Sequence, residues 1–442
     1  MSKIRSKWMA TGAGVALVAA LSAVAPLPGA GTTAAADNHP ESGVICTEST
    51  TSTLGTASFA LSAKDGTILT PDGNTVYMWS YSAGAGSFQY PGPTLCVTQG
   101  DEVTVTLRNR LSVPTSILFE GVEGVSADGA PASVETVGGL VSSLIQPVST
   151  GRSITYTFIA PDPGTYLYQS GTDPLLQREM GLHGALIVRP GDFALTATER
   201  TVYGDDSLDF GGNSSTSFDQ DQEYVHLFSQ VDPSIHLLVE TGQGDKIDFS
   251  QYRPRYFMIN GRSFPDTIAP NEAPWLPNQP YGAMVHLQAI GQGQELPSVI
   301  RYLNAGPTAV PFHPHSNSEE VIGIDARPLV ETATPMVASI DRFAIDVQPG
   351  QTIDARFSWT NTFASTPQQP VPDARNLQDG GFWSGDVLLG QSGTKPTGGD
   401  AFNICGEYYH VAHNHALYAA TNYGAAMGGQ LTLVRVDPVS GC

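Results

Sequence analysis

The sequence predicts an all-β protein, and three observations support that fold class. The segments DEVTVTLRN (101–109) and SITYTFIAP (153–161) alternate apolar and polar residues, which is the pattern of strands with one buried face. The 47 glycines and 32 prolines separate such segments at short intervals, as turns between short strands require. Helical periodicity is scarce. Many short strands divided by turns are typical of sandwiches or barrels.

The length and charge of the chain narrow its class. The chain has 442 residues, which is too long for one core and indicates two or three domains, and 40% of the residues are hydrophobic. It carries 21 Lys and Arg against 42 Asp and Glu, a formal net charge of -21. This acidity disfavours nucleic acid and anionic membranes as partners and is typical of a soluble protein outside the cell.

Residues 1–36 have the organisation of an export signal. Basic residues precede an apolar stretch at 12–27, and small residues at 34–37 offer a cleavage site. A membrane anchor is the alternative, but the stretch is short for a bilayer span and is interrupted by Pro26, with Pro28 just beyond it. We therefore expect a secreted, extracellular protein with no membrane contact after the signal is cleaved.

Four cysteines in an exported chain indicate disulfides. Four cysteines can pair in three ways. We favour Cys46–Cys96 and Cys405–Cys442, because each pair falls at the edges of one proposed domain. Neither pair forms a Cys-x-x-Cys motif, so a redox or zinc function of these cysteines is weakly indicated.

The composition divides the rest of the chain into segments. Residues 37–60 are polar and predict an extended N-terminal segment, and the first domain is predicted at 61–192. A polar connector is predicted at 193–221, where the apolar pattern fades. The second domain then covers 222–442, with a long surface loop near 360–400 that is rich in Gly, Pro, Ser and Gln.

The two predicted domains repeat each other faintly. Residues 105–122 resemble residues 299–316, and GTYLYQSG (164–171) resembles GEYYHVAH (406–413). A Gly-rich turn and a terminal strand follow in each case. Two copies of one sandwich design is the economical interpretation. The alternative is that β-sandwiches share turn chemistry without a common origin.

Two His-x-His pairs in the second domain predict a metal site. His313 and His315 form one pair, and His413 and His415 form the other. Side chains at i and i+2 of a strand point to the same face, so each pair can aim two imidazoles at one point. His410 is a fifth candidate, although strand parity sends it to the opposite face unless a bulge intervenes. The alternative is a hydrogen-bonded histidine network across the domain boundary.

Several motifs resemble those of multicopper oxidases, the laccase and cupredoxin superfamily, in the family's order. The resemblance implies two tandem cupredoxin-like Greek-key β-sandwich domains, a type 1 copper that accepts electrons from substrate, and a trinuclear copper cluster that reduces dioxygen to water. The motifs are PGPTLCVTQGDEVTVTLRN (91–109), GTYLYQSG (164–171), MINGRSFPDT (258–267), FHPHSN (312–317) and GEYYHVAHNH (406–415).

The resemblance also assigns the family's four His-x-His pairs to positions in this sequence. The first pair falls on Leu118 and Glu120, so both histidines are absent. The second pair falls on Gln169 and Gly171, and both histidines are absent again. The third pair, His313 and His315, is intact. The trinuclear cluster is therefore expected to be incomplete.

The fourth pair and the type 1 ligands are less fully matched. The fourth pair is best placed on His413 and His415, whereas a gapless match to the first domain would use Val411 and His413, so this register stays open. The type 1 histidine falls on Val310. The type 1 cysteine falls on Asn414, or on Ala412 in the other register, and Met427 lies too far downstream for the usual axial ligand.

These departures change the expected chemistry. A blue copper site needs a cysteine thiolate with two histidines, so it is not expected here. Four imidazoles from one domain can hold one copper, or a zinc, in tetragonal or tetrahedral geometry. Glu120 and Gln169 face the same site if the domains pack as in the family, with Glu120 as an oxygen ligand or proton donor. The alternative is a polar pair that fills the space of absent ligands.

Three functions fit the sequence. The first is a secreted copper protein that retains oxidoreductase chemistry, on a small molecule or metal ion, at a reduced histidine site. The second is a non-catalytic cupredoxin-fold protein that stores metal or only supports structure. The third is an extracellular interaction protein that uses the loop near 360–400. Because two-domain relatives often form trimers with sites between subunits, a homotrimer is also expected.

Overall fold

A computed structural model gives the fold as mostly β-structure arranged in several sheets, which agrees with the predicted class. The described residues belong to one compact unit. Several of the features predicted above lie outside the described residues: the proposed signal, the loop near 360–400, Cys405, Cys442 and Met427. The structure describes residues 42–51, 53–191, 199–204, 216–288, 296–315, 318–330, 338–359, 408–425 and 428–437.

The N-terminal sandwich consists of a sheet of order β2-β1-β4-β10-β6-β7 packed on a sheet of order β3-β12-β11-β5, with β8 and β9 as a separate hairpin. Its elements are β1 (Thr56–Leu69), β2 (Thr75–Ala83), β3 (Leu95–Thr98), β4 (Glu102–Asn109), β5 (Leu118–Phe119), β6 (Ser126–Ala127), β7 (Ala130–Pro131), β8 (Glu135–Val137), β9 (Leu140–Ser143), β10 (Ser153–Ile159), β11 (Gly164–Gln169), α1 (Pro174–Glu179) and β12 (His183–Arg189).

The C-terminal sandwich consists of a sheet of order β16-β15-β18-β24-β20-β21, with β22 beside β20, and a sheet of order β17-β26-β25-β19-β23. A hairpin of β13 (Glu199–Thr201) and β14 (Ser217–Asp219) precedes it. Its strands are β15 (Glu223–Val231), β16 (Tyr256–Ile259), β17 (Val285–Gln288), β18 (Ser298–Asn304), β19 (Val310–Pro314), β20 (Glu319–Ile324), β21 (Arg327–Pro328), β22 (Ile340–Arg342), β23 (Ile345–Val347), β24 (Thr352–Phe357), β25 (Tyr408–Asn414) and β26 (Leu431–Asp437). Its helices are α2 (Pro233–Glu240) and α3 (Leu417–Ala420), and 3₁₀ turns cover Gly244–Lys246, Phe249–Gln251 and Asp266–Ile268.

The two sandwiches have the same strand order. In the larger sheet of each sandwich, two neighbouring strands run parallel, β1 with β4 and β15 with β18. In the other sheet, the last strand of the sandwich runs parallel to its neighbour, β12 with β3 and β26 with β17. The alternating residues of β4 and β10 fill the first core, as the sequence predicted. A second aromatic-rich core lies between the sheets of the C-terminal sandwich. This duplication supports the predicted repeat.

A buried asparagine makes the same contacts in both sandwiches. Asn109 Nδ2 donates to the carbonyl oxygens of Val113 and Val148, at 2.8 and 2.9 Å. Asn304 Nδ2 donates to the carbonyl oxygens of Thr308 and Val347, both at 2.8 Å. Each Oδ1 accepts from the backbone N–H two residues later at 2.9 Å. Both asparagines are fully buried, so each fixes a loop from inside.

Some sequence expectations are refined. The Cys46–Cys96 disulfide is present and ties the N-terminal segment to β3. The predicted connector at 193–221 includes the hairpin of β13 and β14, and Phe218 is buried against the C-terminal sandwich. Helix α2 was not predicted, although Asp232 caps it by accepting a hydrogen bond from the Ser234 N–H and a proline follows as the first helical residue.

A buried ion-pair network joins the two sandwiches. Arg301 of β18 contacts Glu223 of β15 at 2.7 Å and Asp354 of β24 at 3.1 Å. Arg189 of β12 contacts Glu223 at 2.7 Å, and Thr165 of β11 donates to Asp354. Burial alone would raise the pKa of Glu223, but the charges of Arg189 and Arg301 outweigh it and hold that pKa at about 2. Every charge in the network therefore has a partner.

Glu319 of β20 is buried with little compensation. Its Oε1 accepts a hydrogen bond from Tyr302, and its Oε2 has no hydrogen-bond partner among the described residues. Burial raises the pKa of Glu319 to about 8, which the Tyr302 hydrogen bond only partly offsets.

No helix in the described ranges is both long enough and apolar enough to cross a membrane.

Replacing either buried asparagine should destabilise the fold. Asn109→Ala and Asn304→Ala each remove three buried hydrogen bonds, so we expect the free energy of unfolding to fall by about 3 kcal/mol in each variant. Urea denaturation measures this. The exposed amide variant Gln251→Ala is the control and should stay within about 0.5 kcal/mol of wild type. A small effect at either asparagine would contradict its assigned role.

The pH dependence of stability should expose Glu319. Its pKa of about 8 in the folded chain exceeds the ordinary 4.5, so the folded state binds more protons in that interval and stability falls as pH rises toward 8. Between pH 6.5 and 8, the free energy of unfolding of wild type should fall as pH rises. The Glu319→Gln variant should lack the part of this fall that the Glu319 carboxyl causes. The exposed Asp341→Asn should keep the wild-type profile. Identical profiles for wild type and Glu319→Gln would contradict the assignment.

Candidate metal centre

The pairing of β19 with β25 brings the predicted metal ligands together. The two strands are antiparallel neighbours, and His313 lies directly opposite His413. Because side chains of directly opposed residues point to the same face of the sheet, the two rings lie side by side. His315 and His415 follow two residues later on their own strands and face the same way. We call His313, His315, His413 and His415 the histidine quartet.

The register also separates the outer two histidines. The His315 N–H donates to the Val411 carbonyl at 2.8 Å, and the His415 N–H donates to the Pro311 carbonyl at 2.7 Å. His315 and His415 therefore extend from the central pair in opposite directions. Convergence of all four rings on one ion therefore stays a prediction.

Neighbouring rings of the quartet are nevertheless close. The ring centroids of His315 and His413 are 5.0 Å apart, and those of His313 and His415 are 5.3 Å apart. The centroid distance is 4.8 Å between His313 and His315 and 5.8 Å between His313 and His413. The rings of His413 and His415 also lie 5.8 Å apart. The quartet thus forms a zigzag with His313 and His413 at its centre.

Hydrogen bonds fix the orientation of two rings. His413 Nδ1 lies 2.9 Å from the carbonyl oxygen of Asn414, and His313 Nδ1 contacts the carbonyl oxygen of Phe343. A ring that donates through Nδ1 has its lone pair on Nε2, which is the arrangement that metal-binding histidines commonly use. These tautomers are assigned from the hydrogen bonds. The carbonyl of Phe343 is a partner that the sequence did not reveal.

The His315–His413 pair fits a metal ion. Their Nε2 atoms are 3.0 Å apart and share a hydrogen bond, which a bound ion would replace. Two nitrogens at bond lengths of about 2.0 Å and a right angle around one ion would be about 2.9 Å apart. No three or more His, Cys, Asp or Glu side chains in the described ranges already stand in a metal-binding arrangement, so a third histidine ligand requires ring rotation.

Two members of the quartet, His315 and His413, are held in the protonation state that metal binding needs. Burial, followed by the charges of His413, His313 and His415, lowers the pKa of His315 to about 4. Burial also lowers the pKa of His413, with an opposing effect of the Asn414 carbonyl. Neutral imidazole is the form that coordinates metal, so both rings are ready to bind at neutral pH.

His410 lies on the other side of the strand, as parity predicted. Its ring is fully buried and stacks on Trp359 at a centroid distance of 4.5 Å, on the face of β25 that packs into the core. Burial, followed by the charge of His315, lowers the pKa of His410 to about 3. His410 therefore supports the core beneath the quartet.

The positions matched to type 1 ligands have other contacts. Val310 is buried in the second core and pairs with Val347. Asn414 Nδ2 donates to Gln430 Oε1 at 2.7 Å, and its Oδ1 accepts from the Ala416 N–H at 2.8 Å. The side chain of Asn414 is thus engaged within its own sheet.

Glu120 lines a separate cavity, and Gln169 is buried beside it. Gln169 Nε2 donates to Glu120 Oε1, and the Glu120 cavity of about 550 Å³ is also lined by Arg178, Asp325 and Gly350. No member of the histidine quartet lines it. Burial raises the pKa of Glu120, whereas the nearby charge of Arg178 opposes that rise. Within one chain the structure therefore does not join this pair to the quartet.

Strand pairing answers the open question of register. In the N-terminal sandwich Leu118 of β5 lies opposite Gln169 of β11, just as His313 lies opposite His413. This pairing makes Gln169 the structural counterpart of His413. The gapless sequence match would instead have made Val411 its counterpart, two residues earlier. The structural equivalence therefore favours His413 and His415 as the counterparts of Gln169 and Gly171.

Comparisons with known proteins agree on one family. The family profile described as multicopper oxidase matches residues 67–192. Multicopper oxidase CTB12 of Cercospora beticola is 38% identical over 106 residues, which are 23% of this chain and 15% of that protein. Multicopper oxidase MmcO of Mycobacterium tuberculosis is 30% identical over 184 residues, which are 39% of this chain and 32% of that protein. The chain thus spans less than a third of these relatives.

Solved structures extend the similarity to most of the chain. The multicopper oxidase mgLAC has a TM-score of 0.53 at 19% identity and covers 86% of each chain. A blue copper oxidase from Nitrosomonas europaea has a TM-score of 0.52 at 17% identity and covers 86% of this chain and 85% of its own. The chain therefore has the cupredoxin fold seen in multicopper oxidases, and its residues 67–192 match the profile of that family.

Proposed function

We propose that this chain is a secreted copper protein of the multicopper oxidase family that uses the histidine quartet for oxidoreductase chemistry. The observation that carries the proposal is the 3.0 Å approach of His315 Nε2 and His413 Nε2 on adjacent strands. Copper, when bound, supplies one-electron oxidation and reduction. Zinc suits the same imidazoles, but the relatives that match this chain are copper oxidases, which favours copper.

The protein groups around the quartet prepare it for a cation. The carbonyl oxygens of Phe343 and Asn414 hold the Nδ1 protons of His313 and His413, so Nε2 of each ring carries the lone pair that a cation would bind. Burial keeps His315 and His413 neutral, which removes the charge repulsion that protonated rings would add. His313 is the third ligand that this geometry favours, because its ring lies 4.8 Å from that of His315.

The surface around the quartet suits a second copy of the chain. Phe343 is 66% exposed beside His313, and Leu417 is 66% exposed just beyond His415. The hairpin of β8 and β9 also exposes several apolar side chains, Leu140 among them. Apolar groups on this scale mark association surfaces. The proposal therefore includes a homotrimer, which copper relatives with two domains adopt.

Such an assembly gives Glu120 a role. In one chain Glu120 does not reach the quartet, but its carboxyl faces a cavity and burial favours its protonated form. We propose that Glu120 of the partner subunit serves as proton donor at the quartet, with Gln169 of the partner subunit holding it in place. A small molecule or a metal ion is the proposed electron donor.

A non-catalytic function is the second candidate. The contacts of Asn414 and Val310 within the second sandwich favour it, because both positions contribute to packing in the described structure. In that case the quartet stores metal without turnover.

Removing the two ligands whose nitrogens lie closest together should weaken copper binding. His315→Ala/His413→Ala takes away the nitrogen pair at 3.0 Å, so we expect copper affinity to fall at least about tenfold, the effect of losing a well-placed polar contact. Equilibrium dialysis with elemental analysis measures it on the full chain. His410→Phe is the matched control, because it keeps an aromatic ring on Trp359 and should retain copper. Unchanged copper content in the double variant would exclude this ligand assignment.

Copper-loaded protein should consume dioxygen with an electron-rich phenol or a reduced metal ion. We expect oxygen uptake by wild type, none by the double variant, and a lower rate with unchanged copper content for Glu120→Gln, because that variant cannot donate a carboxyl proton.

Light scattering on the wild-type protein should give the mass of three chains. An inactive protein with bound copper would favour the storage function, and a monomer that turns over at the wild-type rate would refute the role of Glu120.

A further inference from the structure

The hairpin of β8 and β9 carries the densest group of exposed hydrophobic side chains in the described part of the chain. Of the seventeen large hydrophobic side chains exposed there, five lie within residues 134–144. Single exposed hydrophobic residues are ordinary, whereas a contiguous group marks an association surface. The five are Val134, Val137, Leu140, Val141 and Leu144, with exposed fractions between 44% and 77%.

The backbone of the hairpin is also open to pairing. Strands β8 and β9 form a two-stranded sheet of their own, which is marginally stable without further packing. The β9 side is tied to the N-terminal sandwich, because Ser143 bridges to Thr172 and the Leu144 N–H donates to the Gly171 carbonyl at 2.8 Å. No strand in the described ranges pairs with the other edge of β8. An unpaired edge beside apolar side chains is a template for another chain.

The charge of the hairpin favours a second copy of this chain as the partner. Residues 129–151 contain one charged residue, Glu135, although the whole chain has a net charge of -21. Two copies repel each other wherever their acidic surfaces meet, so they approach best through a surface that carries little charge. A basic protein would instead gain more from the acidic surface than from this hairpin.

A second apolar surface lies beside the histidine quartet. Phe343 packs edge-on against His313 at a centroid distance of 5.7 Å, and Leu417 begins helix α3 just after the quartet. Both are 66% exposed. Tyr418 and Tyr423 stack on each other at 5.4 Å and are each about half exposed. We call Phe343, Leu417, Tyr418 and Tyr423 the quartet rim.

The position of the hairpin points to the quartet rim as its counterpart. Leu144 and Ile145 follow β9, and a Cβ on Gly171 would stand 3.4 and 3.1 Å from their side chains. Leu118 lies 3.4 Å from the same point. Leu118 and Gly171 are the structural counterparts of two quartet histidines. The hairpin therefore borders the part of the N-terminal sandwich that carries Glu120, which the proposed function sets against the quartet of another copy.

We propose that the hairpin of β8 and β9 docks on the quartet rim of a second copy, so that each copy covers the quartet of the next. Contacts of this kind use two different surfaces of each chain, as a closed ring of three requires. The apolar side chains of the hairpin and of the rim leave water together, which drives the association. This inference rests on the homotrimer of the proposed function, whose contact surfaces it identifies, and does not depend on copper.

Charged substitutions in the hairpin test the contact by light scattering on the full chain. Val137→Lys/Leu140→Lys would bury two ammonium groups in the contact, so we expect the mass to fall from three chains to one. Leu175→Lys/Leu237→Lys is the matched control, because it changes two apolar side chains that are each 58% exposed and belong to neither surface. It should keep the mass of three chains.

Two results would overturn the proposal: a single chain in wild type, or an unchanged mass in the hairpin variant. If the lysine variant fails to fold, Val137→Ser/Leu140→Ser replaces it and should raise the concentration of half-dissociation at least about tenfold. Copper content, measured in the same samples, reports on the copper proposal separately. Wild type that assembles without copper would leave the docking surface intact and remove only the copper function.

A chemical cross-link distinguishes the quartet rim from a second hairpin as the counterpart. In Leu140→Cys/Leu417→Cys, a short bis-maleimide should join chains into covalent dimers and trimers on a denaturing gel. Leu140→Cys alone and Leu417→Cys alone should remain single chains, and wild type controls for the native cysteines. Dimers from Leu140→Cys alone would show that hairpins pair with each other and would overturn the proposal, as would a double variant that stays a single chain.

Discussion

The position of the histidine quartet depends on one buried asparagine. Asn304 ends β18 and bonds to the carbonyl oxygens of Thr308 and Val347, so it fixes both the loop that leads to β19 and the strand that pairs with it. Val347 in turn pairs with Val310, which sets the register of β19. A one-residue slip of β19 would turn its histidines to the other face of the sheet.

The N-terminal sandwich shows the same constraint with different side chains. Asn109 makes the equivalent hydrogen bonds, and the strands that follow bring Leu118 opposite Gln169. The backbone arrangement that joins two histidines in one sandwich thus joins an apolar residue and an amide in the other. The fold fixes where side chains meet, while the residues at those positions decide the chemistry. The fold and a particular copper site are therefore separate conclusions.

Local pattern was enough to predict strands and the facing of His410, because alternation and parity depend only on neighbouring residues. It could not predict that His315 and His415 diverge, since that follows from the antiparallel direction of β19 and β25. It also could not show that Glu120 lies apart from the quartet in one chain, because domain packing decides this distance. The sequence repeat left the alignment of the His413 segment with the Gln169 segment uncertain by two residues. Strand pairing was needed to equate Gln169 with His413.

A buried network of ion pairs fixes how the two sandwiches pack on each other. Arg301, Glu223 and Asp354 are almost fully buried, and each charge is matched by partners from neighbouring strands. Sliding one sandwich along the other would expose an unpaired buried charge, which typically costs about 3–5 kcal/mol. The two sandwiches are therefore held in one relative position, and with them the surface on which the histidine quartet lies.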